Sequence, residues 1–217
     1  MQKVKFLECV FNVFLWPVCV FAFAGGCART DHLPTPADHM GKFQRVIVVE
    51  FYYDAPHEEF EPGFGKLLAD RLADYTSGVD ISRVASAELR GDFDSPLERG
   101  TVPLGFLTEM RERYMAEAVI IGRVDSFSPY YHNMALGMSI KALDTEDGTV
   151  FFSTSRTWKA GELDRRGDLR DYYERSYGDE NVEYYGPDLL LISPSSFAEY
   201  IADRVARKLL ATFNGEQ

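Results

Sequence analysis

The order in which hydrophobic period changes along the middle of this chain decides what it can fold into. Residues 45–53, RVIVVEFYY, form a nearly continuous apolar and β-branched run, the pattern of a strand covered on both faces. FGKLLADRLADY follows, and there Phe64, Leu67, Leu68, Arg71, Leu72 and Tyr75 recur at helical spacing before Gly78 closes the helix. A short strand at 79–85 comes next, then the amphipathic PLGFLTEMRERYMAE with Pro103 near its first turn, then a third strand, AVIIGRVDSF. This β-α-β-α-β order predicts parallel pairing, right-handed crossovers and helices packed on the sheet.

Beyond the third strand the period drops to two. Met134, Leu136, Met138, Ile140 and Ala142 alternate with Ala135, Gly137, Ser139 and Lys141, which predicts a strand with one buried face. DTEDGT supplies a turn, its Asp147-Gly148 pair giving the positive φ that a hairpin needs, and residues 149–159 return antiparallel. FAEYIADRVARKLLATF then sets Phe197, Ile201, Val205 and Leu209 at four-residue steps, a closing helix with Ser195 and Ser196 as its caps. The fold class expected is α/β, in the order β-α-β-α-β-β-β-α, with a mixed sheet and helices packed on it.

The first 26 residues read as a separate element. Lys3 and Lys5 precede an apolar run from Cys9 to Ala24, broken only by Asn12 and Pro17, and small residues close it. A spanning helix needs about 20 predominantly apolar residues; this run is shorter and carries a proline, so it reads as a cleaved secretory signal. Residues 28–42, ARTDHLPTPADHMGK, have neither period and read as a semi-extended linker, so 27–42 forms a tether and 43–217 a single domain. His32 and His39 lie in the tether at no zinc spacing.

Losing two of 23 basic and one of 34 acidic side chains with the leader takes the formal charge from −11 to −12. Such a surface repels polyanions, and no Lys/Arg run offsets it, so nucleic acid is excluded as a partner. A chain of this size hides roughly 70% of its unfolded surface and needs no disulfide staple.

Ala24-Gly25-Gly26-Cys27 resembles the lipobox of bacterial lipoproteins, with Ala24 where that family usually has Leu. The resemblance implies cleavage before Cys27, a diacylglyceryl group on its sulfur and an acyl chain on its amine. Two or more chains at about 0.8 kcal/mol per buried CH₂ anchor stably. Read instead as an ordinary thiol, Cys27 has only Cys9 and Cys19 to pair with, both in the leader. Ala28 in place of the inner-membrane retention Asp implies the periplasmic face of an outer membrane.

VIVVEF, LLADRLADY, AEAVIIGRVDSF, IKALDTEDGTVFFSTSRTW and the terminal helix together are similar to a superfamily of envelope proteins. It comprises the curli-secretion lipoprotein, lipoproteins that activate penicillin-binding proteins, and the amino-terminal domain of TolB. The resemblance covers about residues 43–160 and 196–213. It implies an anticodon-binding-like fold and a docking or accessory role among envelope proteins, without catalysis and without a cofactor beyond the lipid on Cys27. The chain lacks the long alternating segments of the curli-type channel, which sets pore formation aside and leaves small homo-oligomers open.

Catalytic patterns are thin. His57 and His132 stand without cysteine and without a Gly-x-Ser-x-Gly elbow. GFGKLL at 63–68 lacks both the third glycine of a dinucleotide turn and the ending of a P-loop, and reads as helix entry. The carboxylates of DTEDG read as a solvated turn, being too few for a calcium loop.

Residues 161–194 are the least conventional segment, an irregular insertion ahead of the last helix. It holds five of the chain's 12 tyrosines: Tyr172, Tyr173, Tyr177, Tyr184 and Tyr185. Tyrosine combines a rigid apolar body with a polar tip, which suits an interface. The tyrosines are therefore candidate partner-binding residues; the competing reading has them complete the core on an uncovered sheet face. The alternative function is a cell-wall glycan-binding domain or hydrolase that uses this acidic, tyrosine-rich segment as its cleft.

Overall fold

The computed structural model describes residues 43–53, 63–89, 102–130, 134–163, 166–177, 186–188 and 193–213, all within the compact unit Pro34–Gln217. The leader, Cys27, the tether, His57, His132, Tyr184 and Tyr185 lie outside the described residues.

The elements are β1 (Arg45–Val49), β2 (Tyr52–Tyr53), α1 (Phe64–Tyr75), β3 (Asp80–Val84), α2 (Leu104–Tyr114), β4 (Ala118–Ser128), β5 (Ala135–Asp144), β6 (Val150–Lys159), α3 (Arg166–Tyr177) and α4 (Pro194–Phe213). Short 3₁₀ turns stand at Ser86–Glu88, Ala160–Glu162 and Gly186–Asp188. The strands form one mixed sheet in the order β3-β1-β4-β5-β6, with β2 also paired to β4. As the alternation of periods predicts, β3, β1 and β4 are parallel, whereas β4-β5-β6 is an antiparallel meander. Each crossover returns beside β1, one to β3 and one to β4, so the sheet order reverses at β1.

The expected strand at 45–53 divides in two. β1 stops at Val49, and Tyr52 and Tyr53 pair onward with Arg123 and Val124 as β2. Between them the Phe51 ring crosses β4 at Gly122, where a Cβ would stand 2.1 Å from the ring. Glycine at that position is what lets the ring into the core.

Helices α1, α3 and α4 cover one face. Phe64, Leu68 and Leu72 of α1 meet Phe197, Ile201, Val205 and Leu209 of α4 over Val46, Val48, Ile120, Met138 and Ile140. All four α4 residues are buried, each contributing about 1.5–3 kcal/mol relative to exposure. On the other face α2 packs Phe106, Leu107 and Met110 against Ile47, Val49, Val119, Ile121 and Leu143.

Two caps differ from the sequence expectation. The Ser193 side chain accepts the Ser196 N–H at 3.4 Å and its carbonyl accepts the Phe197 N–H at 2.9 Å. Ser193 is therefore the cap, Pro194 fills the first helical position, and Ser195 and Ser196 lie inside the first turn. At the end of α2 the left-handed residue is Met115, φ 57° and ψ 29°, with the Ala116 N–H bonded back to the Met110 carbonyl at 3.1 Å. The helix thus ends on a left-handed methionine where glycine is usual.

The segment 161–194 is not wholly irregular: it contains the twelve-residue α3. Leu169, Tyr172, Tyr173 and Tyr177 stand at i, i+3, i+4 and i+8, a helical stripe hidden by the surrounding charge.

Candidate functional site

The antiparallel half of the sheet has two unlike faces. Toward the three helices it presents Met134, Leu136, Met138, Ile140, Phe152 and Trp158, all buried. Toward the α2 side, α2 packs with Val119, Ile121, Leu143 and the partly buried Val150, and beyond them the strands turn out Arg123, Asp125, Ser126, Ser139, Ser155 and Thr157. Ser126, Ser153, Ser155 and Thr157 are exposed.

A bulge at Asp125, between Val124 and Ser126, alters the strand's side-chain alternation there. The carboxylate is then held from two sides. Arg123 Nε donates to Oδ1 at 2.5 Å and Ser139 Oγ donates to Oδ2 at 2.8 Å, while Ser139 and Ser155 share a hydroxyl contact at 3.0 Å. Tyr52, 41% exposed, pairs with Arg123 at the end of this face. The result is a carpet of small hydroxyls with its principal ion pair internally neutralised, suited to a broad partner surface. Among the described residues no group of three or more His, Cys, Asp or Glu side chains could hold a metal.

Two expected partner-binding tyrosines are core residues, which corrects the reading of them as surface. Tyr172 is 0% and Tyr173 3% exposed. The Tyr172 ring meets Tyr200 edge-on at 5.3 Å, its hydroxyl accepts from Arg71 Nη2 at 3.3 Å, and burial pushes the phenol up to about 12. Tyr173 packs on the half-buried Tyr177 at 5.2 Å. A polar α3 gains its hold on the sheet's helical side by sinking these rings, so packing took the positions that the interface reading needed.

α4 also carries a buried carboxylate, Asp203, 1% exposed. It accepts from Tyr75 Oη of α1 and from Arg207 Nη2 of α4, and Arg175 Nη2 of α3 stands 3.9 Å away. One carboxylate thus joins three helices.

At the reversal point of the sheet, where α/β folds commonly place ligands, the position is filled by the chain itself. Glu50, just past β1, lies against the start of α1: a Cβ at Gly63 would stand 2.7 Å from its Oε1, and one at Gly65 2.9 Å from its Cα. Burial raises the Glu50 carboxyl above its ordinary 4.5, against the opposing pull of Arg83 at 3.2 Å and of the Phe51 and Gly65 N–H groups. Tyr53 Oη accepts the Phe64 N–H at 2.8 Å, and burial pushes that phenol up to about 12. The glycines of GFGKLL therefore make room for a carboxylate rather than for a phosphate, in keeping with helix entry.

No protein-family model matches the sequence, and no curated protein matches it. Solved structures similar to it include the PelC dodecamer from Paraburkholderia phytofirmans, at 15% identity and TM-score 0.43 over 81% of this chain and 90% of that one. Lipoprotein GNA1162 from Neisseria meningitidis is similar at 14% identity and TM-score 0.39, over 59% of this chain and 89% of that one. The LpoB C-terminal domain from Salmonella enterica is similar at 10% identity and TM-score 0.33, over 52% and 80%.

Proposed function

We propose that this chain is an envelope lipoprotein, anchored through lipid on Cys27 at the periplasmic face of an outer membrane, whose α/β domain is a non-catalytic docking module for an envelope protein complex. One observation carries the docking role: half of one sheet face, on β4, β5 and β6, is hydroxyl-lined and uncovered by any described helix. Small side chains let a second layer approach to about 10 Å, the spacing of stacked sheets, and their hydroxyls satisfy polar groups at the contact. The anchor rests on the Ala24-Gly25-Gly26-Cys27 motif. The alternative, glycan held by the tyrosine-rich segment, loses Tyr172 and Tyr173 to the core.

The test places a photo-crosslinking residue at Ser155, on the uncovered face, and at Lys208, exposed on α4. The Ser155 position is expected to trap one envelope protein that the Lys208 position does not, and Ser155→Arg should abolish its co-purification while leaving the melting temperature within a few degrees. Equal trapping at both positions, or retained co-purification by Ser155→Arg, refutes the docking face. Intact mass of the membrane-extracted protein reads the lipid separately.

A further inference from the structure

β6 stands at one margin of the sheet, and no other described strand pairs with its outer edge. Hydrogen bonds along an antiparallel ladder alternate, and two contacts set their phase here. The Thr145 N–H donates to the Glu117 carbonyl at 3.0 Å, and the Ala160 N–H donates to the Met134 carbonyl at 2.8 Å. In the observed register the odd residues of β5 therefore bond to β4 and the even ones to β6. Phe152, Thr154, Arg156 and Trp158 direct their backbone groups to β5. Ser153, Ser155, Thr157 and Lys159 turn theirs outward, and all four residues are exposed.

An open edge is a template for a further strand, and native chains guard it with proline, charge, bulges or cover. Residues 153–159 contain no proline, and the bulge of β6 lies ahead of them at Phe151. What the edge carries is charge of one sign. β6 has Arg156 and Lys159 and no acidic residue, on a chain with 34 acidic and 23 basic side chains. Arg156 is exposed, its guanidinium 5.9 Å over the Trp158 ring, and no described carboxylate pairs with it; Lys159 reaches the exposed Glu162 at 3.0 Å. Two copies joined at this edge would set the cations of both on one ladder without a carboxylate between them, and like charges across strands are destabilising. An acidic strand meets the opposite condition. The other margin, β3, is half as long, and its Asp80 is already held by Arg45 and Ser82.

Resting on the docking reading for a protein partner, we infer that the β6 edge takes up an extended, acidic segment of that partner, added as a further strand with its carboxylates beside Arg156 and Lys159. Outward backbone groups supply the binding, and the cations choose the sign of the partner. The added strand lies in the plane of the sheet rather than over its hydroxyl face, so edge and face can fail separately.

The measurement uses the intact chain in detergent, labelled with ¹⁵N, and reads amide hydrogen exchange along β6. The probe is an eight-residue peptide alternating threonine and glutamate, with the threonine–lysine peptide as its counterpart. The acidic peptide is expected to slow exchange at Ser153, Ser155 and Thr157 at least tenfold and to change Thr154 and Arg156, already bonded to β5, far less; the basic peptide should do neither. Arg156→Glu should weaken the acidic peptide at least fivefold and admit the basic one. Thr157→Pro removes an outward N–H that no β5 carbonyl uses, so it should keep the fold and lose the binding. Unslowed outward amides, equal slowing of both sets, an equal response to the basic peptide, unchanged affinity in Arg156→Glu, full binding by Thr157→Pro, or a dimer paired through this edge overturns the inference. A partner trapped at Ser155 while the outward amides stay fast would remove the edge and leave the docking face standing.

Discussion

Tyr172 and Glu50 show how a single side chain's role follows from where it is desolvated. Tyr172 is fully enclosed, so Tyr172→Ala should cost about 3–5 kcal/mol, the range for deleting a buried aromatic. Tyr172→Phe keeps the ring and loses the hydroxyl's bonds with Arg71 and Ser176, so about 1–2 kcal/mol is expected. Chemical denaturation of both variants checks the ratio, and near-equal losses would mean that the hydroxyl, not the ring, holds α3. Glu50 has the opposite sense. Its carboxyl is raised above 4.5 by burial, so the folded chain binds this proton more tightly than the unfolded chain does. Its contribution to stability is greatest below pH 4.5 and falls as pH rises through the folded value. Glu50→Gln should flatten that part of the stability–pH curve and leave the protein at least as stable at pH 7; a steeper curve in the variant contradicts the burial argument.

Elements with one strong period were legible in the sequence, and the element whose period was diluted was not. β5 and α4 showed their buried positions directly, because nothing polar competed along the stripe. α3 has the same geometry in Leu169, Tyr172, Tyr173 and Tyr177, but charged residues surround the stripe and tyrosine serves surface and core alike. The face of β4–β6 was legible only as the polar half of an alternation; that no described helix covers it is a tertiary fact. Asp203 gave no local signal, since its partners come from α1 and α3 as well as from α4. Asp203→Ala should cost about 2 kcal/mol, from the bonds lost with Tyr75 and Arg207. Ser193→Ala, which removes one cap from α4, should cost about 1 kcal/mol. Thermal melts of the two variants order these effects, and a smaller loss for Asp203→Ala would show that the three helices are held by packing alone.

For the molecule as a whole, charge and anchor make separable claims. With formal charge −11 the chain is repelled by anionic bilayers, so under the proposal attachment comes from lipid. Cys27→Ser should move the protein from the membrane fraction to the soluble one, and added salt should not reverse this. Persistence of the variant at the membrane would point to another anchor. The sheet order governs how the domain bears a load from such an anchor. The chain enters the sheet at Phe43 and runs directly into β1, which is flanked on both sides, in parallel, by β3 and β4. A tug on the polypeptide ahead of Phe43 would therefore load an interior strand along its own axis. The ladders on both flanks must slide together, whereas a margin strand pulled sideways would peel one bond at a time, so under the proposed anchoring a fluctuating membrane would tug this body through a strand gripped from both sides.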